Sequence, residues 1–212
     1  MSTEAKFSNW SYIESRPVET DLFARARERS HALGVPAVSP AVARLLTVLC
    51  TTNKASTVVE VGTGAGVSGL ALLEGMTSNG VLTTIDTDAD HIRAAKEGFA
   101  EAGYRSNRTR TIIGRAEAVL PRLADQGYDV VFLDAQVADL PRYIEQSTRL
   151  VRPGGLVLVN DALDQDRVPR PQDRSETAVS AREAERLLND DDRFLTTLLG
   201  VGTGLLVAVR RH

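Results

Sequence analysis

The chain has 212 residues, of which 42% are hydrophobic and 25% are charged, and its formal net charge is -3. These values fit one soluble globular domain and give no electrostatic sign of nucleic-acid binding. The single cysteine, Cys50, excludes a disulfide framework and a cysteine-rich metal site. The sequence has no apolar run of about 18 residues, and its start lacks the apolar segment of a secretory leader, so we expect a cytoplasmic protein without a membrane span.

The first 50 residues lack the alternating pattern that follows them. Residues 1–17 are polar and mixed, and we expect an N-terminal arm there; Trp10 could line a substrate entrance, but a packed or disordered arm is the simpler interpretation. A helix is predicted over 20–33, ended by Gly34. After a break at 35–40, a second helix carries apolar residues at helical spacing: Val42, Leu45, Leu46 and Leu49.

From residue 57 onward, short apolar strands alternate with helical patterns. The predicted strands are 57–61, 81–85, 109–113, 128–133 and 156–159, and the predicted helices between them are 67–76, 90–102, 116–124 and 140–150. The segment 152–155 (Arg-Pro-Gly-Gly) is expected to close the last of these helices. A loop over 162–175 and a helix over 176–188 come next, and strands 194–199 and 205–209 are joined by a glycine-rich link that suits a hairpin.

This order of elements predicts an α/β fold. Strands separated by helices form βαβ units in a parallel sheet. We therefore expect a Rossmann-like, doubly wound, mostly parallel seven-stranded sheet that ends in a C-terminal antiparallel hairpin strand. A single domain is predicted over 1–212, with an arm and cap helices in 1–50 and a cofactor-binding core in 55–212.

The strongest chemical signal is a glycine loop between the first strand and its helix, Glu60-Val-Gly-Thr-Gly-Ala-Gly66. Glycines allow a ligand to approach the backbone closely, and the helix that follows offers free amides to an anion. A glycine-rich turn without a ligand is the alternative. Val67 stands where the dinucleotide fingerprint has its third glycine, which disfavours nicotinamide cofactors. Asp86 ends the next strand and can accept both hydroxyls of a ribose, and residues 114–117 could contact an adenine.

Five segments in order carry a family resemblance: EVGTGAGVS, TTIDTDAD, IIGRAEAVLP, YDVVFLDA and LVRPGGLVLVND. Over roughly residues 35–210, the chain resembles class I S-adenosylmethionine-dependent methyltransferases, and within them the small O-methyltransferases related to catechol and caffeoyl-CoA O-methyltransferases. The resemblance implies S-adenosyl-L-methionine as cofactor, a small-molecule hydroxyl as methyl acceptor, and a homodimer. The cofactor-binding residues that it implies are Glu60, Gly62, Gly64, Gly66, Ser68, Asp86, Ala116, Glu117 and Asp134.

The resemblance also implies a site for Mg²⁺ or a similar divalent cation, with departures from the family pattern. Asp134 would be a metal ligand and the catalytic residue, and Asp161 would be the second ligand. Ala162 stands where the family has a third ligand, asparagine, and Val137 stands where it has a catalytic lysine. Asn160 lies next to Asp161, but one step along a strand is expected to turn it to the other face.

These departures leave two alternatives to a metal-assisted O-methyltransferase. One is a metal-independent methyltransferase that acts on nitrogen or on an RNA base, although a nucleic-acid partner would require a basic surface. The local basic residues are Arg167, Arg170 and Arg174. The other is a protein that still binds the cofactor but has lost catalysis, as Val137 and Ala162 suggest.

Overall fold

The computed structural model describes residues 3–212, with side chains from residue 7 onward. The strands are β1 (Thr57–Val61), β2 (Val81–Asp86), β3 (Thr109–Ile113), β4 (Tyr128–Leu133), β5 (Val151–Val159), β6 (Phe194–Leu199) and β7 (Leu205–Arg210). The helices are α1 (Thr3–Ser15), α2 (Asp21–Leu33), α3 (Pro40–Asn53), α4 (Val67–Gly75), α5 (Ala89–Glu101), α6 (Ala116–Val119), α7 (Leu140–Leu150) and α8 (Glu176–Asn189).

All seven strands belong to one sheet, in the order β3-β2-β1-β4-β5-β7-β6. Strands β1 to β5 pair in parallel, whereas β7 is antiparallel to both β5 and β6. The predicted doubly wound sheet with an antiparallel C-terminal hairpin is therefore confirmed. Because Val159 at the end of β5 pairs with Leu206 near the start of β7, the 200–204 link lies at the carboxyl edge of the parallel strands.

The core forms two apolar layers, one on each face of the sheet. Alternate residues of a strand point to opposite faces, so Phe132 packs with α3, α4 and α5, while its neighbour Leu133 packs with α6, α7 and α8. Both faces are covered, as a parallel sheet requires. Only the ends of the strands stay open, and the site can form there.

The predicted N-terminal arm forms a helix over residues 3–15 and packs on the protein; residues 1 and 2 lie outside the described part of the chain. Helix α1 packs against α3 and forms two hydrogen bonds to Gly202 of the β6–β7 link. The indole Nε1 of Trp10 donates to the carbonyl of Gly202 at 3.2 Å, and the Glu14 carboxylate accepts from the Gly202 amide at 2.6 Å. Phe7 and Tyr12 remain exposed, so α1 has no continuous apolar face that the sequence pattern could have revealed.

Two other boundaries differ from the prediction. Strand β5 begins at Val151, because Tyr128 pairs with Val151 and Val130 with Leu156, which leaves a bulge in β5. The segment 152–155 thus belongs to a bulged strand and does not close the helix. The predicted helix over 116–124 is shorter, with α6 followed by a 3-10 turn at Leu120–Arg122. Within residues 3–212, no helix is both long and apolar enough to cross a membrane.

Candidate active site

A cavity of about 1190 Å³ opens at the carboxyl edge of the sheet. Ligands in open α/β sheets bind at this edge, where the loops that follow the strands converge. The cavity wall combines the ends of β1, β2, β4 and β5 with α1, the 35–39 segment and the β6–β7 link. It includes most of the predicted site residues: Gly62, Gly64, Ser68, Asp86, Ala116, Glu117, Asp134 and Asp161.

The glycine loop has a backbone shape that side chains would prevent. Gly62 has a φ of +94°, and a Cβ built on it would lie 1.9 Å from the carbonyl oxygen of Asp134. Gly66 has a φ of +87°, and its Cβ would lie 2.9 Å from the Cβ of Ala95. The loop leads into α4, whose first backbone amides have no partner within the helix. Ser68, in the first turn of α4, is buried and lines the cavity.

Asp86 links the glycine loop to the next strand. Its carboxylate accepts hydrogen bonds from the backbone amides of Gly64 and Asp88, each at 3.0 Å. His91 Nδ1 lies 3.3 Å from both carboxylate oxygens. A carboxylate can accept about four hydrogen bonds, so the group keeps capacity for a ligand on the cavity side. The geometry therefore suits the predicted ribose contact.

Glu60 lies beneath the glycine loop and not on the cavity wall. Its Oε2 accepts from the Thr84 hydroxyl at 2.6 Å, and Thr84 is also hydrogen-bonded to Thr63 at 2.6 Å. Its Oε1 has no partner among the described residues. Burial raises the pKa of Glu60 to about 8, although the hydroxyls of Ser68 and Thr84 oppose the shift. Glu60 is thus a mostly neutral acid below the loop at pH 7.

Tyr143 belongs to this site although the sequence pattern shows it only as a helix residue. It is buried, lies on α7 and lines the cavity near Glu117. Burial and the Glu117 charge raise the pKa of Tyr143 to about 12, so it stays protonated near neutral pH. Arg115, which is also on the wall, lies 3.6 Å from Glu117. A neutral phenol and a carboxylate thus face the position expected for an adenine.

Asp134 and Asn160 follow two neighbouring strands and meet at the sheet edge. The Asn160 Nδ2 donates to Asp134 Oδ1 at 2.9 Å. The expectation that Asn160 faces away is therefore wrong, because β5 ends at Val159 and the strand alternation stops there. Burial raises the pKa of Asp134 to about 6, the Asn160 hydrogen bond opposes the shift, and the nearby Asp161 charge adds to it.

Asp161 lies near Asp134 and Asn160 and is the second carboxylate of this group. Its backbone has a φ of +51°, and its side chain lines the cavity. Burial raises the pKa of Asp161, while hydrogen bonds from the Thr203 hydroxyl and the Gln165 amide oppose the shift. Ala162 is buried and off the cavity wall, whereas Asn160 lines the cavity and its amide nitrogen is directed at Asp134.

The carboxylates of Asp134 and Asp161, both on the cavity wall, are ligands of the kind that a hard divalent cation prefers. Mg²⁺ prefers oxygen ligands and usually keeps several waters, so one or two carboxylates suffice. In the described part of the chain, no cluster of three histidine, cysteine or acidic side chains is placed to hold a metal. A cation here would therefore depend on water and on the acceptor itself for its remaining ligands.

The position where the family has a catalytic lysine contributes nothing to the cavity. Val137 packs against the apolar layer of α7 and α8, and its neighbour Gln136 lines the cavity instead. Among the described residues, no lysine lines the cavity. The side chains on the cavity wall that can accept a proton are therefore carboxylates and His91.

The loop over 162–175 is fixed by an arginine that the sequence did not single out. Arg182 on α8 donates to the backbone carbonyls of Arg167, Val168, Arg170 and Asp173 at 2.6–3.1 Å. This loop brings Gln165 to the cavity wall. The local basic cluster, by contrast, does not line the cavity: Arg167, Arg170 and Arg174.

The sheet order, the glycine loop and the acid after β2 together define the class of S-adenosylmethionine-dependent methyltransferases. The sequence profile of a family described as O-methyltransferase matches residues 17–211. A Mycobacterium avium protein named as an O-methyltransferase is 48% identical over 200 residues, covering 94% of this chain and 90% of the relative. A Mycobacterium tuberculosis H37Rv protein named as an O-methyltransferase is 47% identical over 203 residues, covering 96% and 91%. The chain therefore belongs to the O-methyltransferase family.

Solved structures agree with this assignment. A Corynebacterium glutamicum protein superimposes with a TM-score of 0.90 at 31% identity, covering 98% of each chain. The O-methyltransferase TomG from Streptomyces achromogenes, solved in complex with S-adenosylmethionine, gives a TM-score of 0.87 at 27% identity and covers 100% of each chain. A Bacillus cereus O-methyltransferase at 23% identity, with a TM-score of 0.86, supports the fold alone.

Proposed function

We propose that this protein transfers the methyl group of S-adenosyl-L-methionine to a hydroxyl of a small molecule. One observation carries the proposal: a single cavity of about 1190 Å³ joins the glycine loop and Asp86 at one end to Asp134, Asn160 and Asp161 at the other. That volume is large enough for a cofactor and an acceptor together. The named relatives and the cofactor-bound TomG structure support the same activity.

The cofactor occupies the end of the cavity at the glycine loop. Its methionine part binds along the loop, and Ser68 and the first amides of α4 receive its carboxylate. Asp86 accepts the ribose hydroxyls, and Ala116 and Glu117 contact the adenine. Glu60 lies below the glycine loop and does not contact the cofactor. Its hydrogen bond to the Thr84 hydroxyl, which is bonded in turn to Thr63, holds the conformation of the loop.

The acceptor hydroxyl binds at Asp134, in line with the methyl group. Its oxygen attacks the methyl carbon, a C–O bond forms, and the C–S bond breaks with its electron pair moving to sulfur, which yields S-adenosylhomocysteine. The proton of the hydroxyl passes to the Asp134 carboxylate, which is mostly ionised at neutral pH because its pKa is about 6. Holding both reactants in line supplies much of the rate.

A divalent cation fits the acceptor end. Asp134 and Asp161 would hold it, and the Asn160 amide would keep the Asp134 carboxylate in place. When bound, such a cation would lower the pKa of the acceptor hydroxyl and orient it. A homodimer, a cytoplasmic location and the absence of a nucleic-acid partner remain predictions from the sequence.

The first test is a titration of Mg²⁺ into the S-adenosylhomocysteine-bound protein by calorimetry, with Asp134→Ala as control. Heat of binding that the substitution abolishes supports the metal site, and methyl transfer to catechols, followed by mass spectrometry with and without chelator, then tests the activity. Transfer to nitrogen or to an RNA base that persists in chelator would favour the metal-independent alternative. Tight cofactor binding without turnover on any acceptor would contradict the enzymatic proposal.

A further inference from the structure

His91 lies on the cavity wall, and the fold directs its side chain at Asp86. Asp86 ends β2, and Asp88 caps α5 by accepting from the backbone amides of Asp90 and His91. Side chains in a helix lean toward its N-terminus. His91 is in the first turn of α5, so its imidazole reaches back to the end of β2.

His91 supplies a side-chain donor to the Asp86 carboxylate. The imidazole Nδ1 lies 3.3 Å from both carboxylate oxygens. The other donors are backbone amides, with Gly64 bonded to Oδ2 and Asp88 bonded to Oδ1. Among the described residues, no other side chain is hydrogen-bonded to this carboxylate. These three donors together fix the plane of the carboxylate.

The surroundings of the imidazole favour a proton on Nδ1. A hydrogen bond from one ring nitrogen to a carboxylate selects the tautomer that carries the proton on that nitrogen. The imidazole Nε2 lies 3.9 Å from Oδ2 of Asp88, so the ring stands between two acids. The side chains of His91 and Asp86 are only 20% and 11% exposed, and water competes little for their hydrogen bond.

No other basic side chain on the cavity wall can replace His91 in this position. Among the described residues, Arg115 is the only lysine or arginine that lines the cavity, and it lies 3.6 Å from Glu117. Arg93, which is also on α5, pairs with Asp90 at 2.7 Å and does not line the cavity. The orientation of the Asp86 side chain therefore depends on His91 and on two backbone amides.

We propose that His91 is a positioning residue for the cofactor: it holds the Asp86 carboxylate in the orientation that receives the two neighbouring hydroxyls of the ribose. A carboxylate that is already oriented loses less conformational freedom when the ligand binds, so the ligand binds more tightly. His91 thereby contributes to the preference for a cofactor that carries both hydroxyls. This inference rests on the proposed function, since it deepens the ribose contact of Asp86.

The test compares two substitutions that place an amide at different positions along the imidazole. In His91→Asn the side-chain amide nitrogen can stand near the position of Nδ1, whereas in His91→Gln it reaches toward the position of Nε2. Calorimetry measures the binding of S-adenosylhomocysteine to the full-length proteins. We expect His91→Gln to bind it about tenfold more weakly than the wild type, and His91→Asn to stay within about threefold.

A second ligand separates positioning of Asp86 from a general structural role. It is the 2′,3′-dideoxy analogue of S-adenosylhomocysteine, whose ribose cannot donate to Asp86, and its affinity is measured by competition. His91→Gln should change the affinity for this analogue by less than about twofold, because the affected contact is absent. A loosened fold would weaken both ligands alike, and urea unfolding of each variant measures that separately. His31→Gln is the matched control, since His31 is exposed and off the cavity wall, and it should leave both affinities unchanged.

Three results would overturn the inference while the wild type binds S-adenosylhomocysteine. They are an affinity of His91→Gln within about twofold of wild type, an equal loss for both ligands, and a loss in His91→Asn as large as in His91→Gln. Failure of the wild type to bind S-adenosylhomocysteine would count against the proposed function itself. Because binding is measured apart from turnover, a failure of methyl transfer alone would leave the role of His91 intact.

Discussion

Two aspartates near opposite ends of β4 differ in how completely the protein satisfies them. Asp129 accepts from the backbone amides and hydroxyls of Ser56 and Thr57, and it pairs with Arg152 at 2.5 Å. Burial would raise the pKa of Asp129, but these donors lower it to about 2. Asp134 has one side-chain donor, Asn160, and its pKa is raised to about 6 by burial.

This contrast separates a carboxylate that stabilises the fold from one whose surroundings suit the proposed function. At the amino ends of the strands, Asp129 has enough donors for its charge to stabilise the fold. At the carboxyl ends, burial makes the charge of Asp134 unfavourable. Groups with such raised pKa values concentrate at functional sites, because a proton acceptor needs a pKa near the working pH.

The largest expected effect is on catalysis, from Asp134→Asn. The amide keeps the shape of the side chain but removes the charge, so methyl transfer should fall by about 100- to 10,000-fold. In the wild type, turnover should rise with pH through about 6, as Asp134 loses its proton. Mass spectrometry of the methylated product measures both, and calorimetry should show S-adenosylhomocysteine affinity within a few-fold of wild type. Turnover within tenfold of wild type would contradict the role of Asp134.

Gly62→Ala tests the backbone contact between the glycine loop and Asp134. Its Cβ would lie 1.9 Å from the Asp134 carbonyl oxygen at a φ of +94°, so the loop must move. We expect S-adenosylhomocysteine affinity to fall more than tenfold and the free energy of unfolding to fall by about 2–4 kcal/mol. Gly34→Ala is the matched control, since Gly34 also has a positive φ but no atom within 4 Å of its Cβ. Equal losses in the two variants would show that backbone strain, and not the contact, is responsible.

Asp129→Asn should affect stability and leave the site unaffected. The substitution removes the ion pair with Arg152. It also places an NH2 group where the wild type has an oxygen that accepts hydrogen bonds. The free energy of unfolding should therefore fall by about 2–3 kcal/mol. Urea unfolding measures this loss. Affinity for S-adenosylhomocysteine, measured at a temperature where the variant is folded, should match the wild type. A selective loss of cofactor affinity would contradict the proposal that Asp129 serves stability and only Asp134 serves the site.

The last prediction concerns Glu60→Gln, whose effect appears in the pH dependence of stability and not at the active site. The pKa of Glu60 is raised from 4.5 in the unfolded chain to about 8, so the unfolded state loses its proton first, and wild-type stability should fall as pH rises through that window. The glutamine cannot ionise and should flatten this decline. Thermal unfolding between pH 5 and pH 8 measures this decline. Each kcal/mol of lost stability should lower Tm by about 2–4 °C. Parallel curves for the two proteins would refute the assignment of a neutral Glu60.

Much of the fold and half of the site could be predicted from local patterns. The strand–glycine–helix segment and Asp86 can be recognised in the sequence, because each feature is contained in a few consecutive residues. Asp134 follows directly from the end of an apolar strand. Tyr143 and Gln165 could not be found in this way, because the helix and loop that carry them show nothing of the cavity they face.

The N-terminal helix is the clearest example of an element whose position depends on tertiary contacts. The residues of α1 carry no apolar stripe. The helix packs against α3, and two of its side chains bind Gly202, 188 and 192 residues away in the chain. Asn160 is similar, because its position beside Asp134 depends on where β5 ends and on which strand lies next to it.

The sequence by itself determined the order of strands and helices, the glycine loop and the acids that end β2 and β4, because periodicity and backbone geometry are local properties. The tertiary structure alone decided that Asn160 and Asp161 lie near Asp134, that α1 binds the β6–β7 link and that Glu60 lies below the glycine loop. Those positions depend on pairing between distant strands and on a helix held by long-range hydrogen bonds. The spacing of neighbouring residues in the sequence reveals neither the pairing nor these hydrogen bonds.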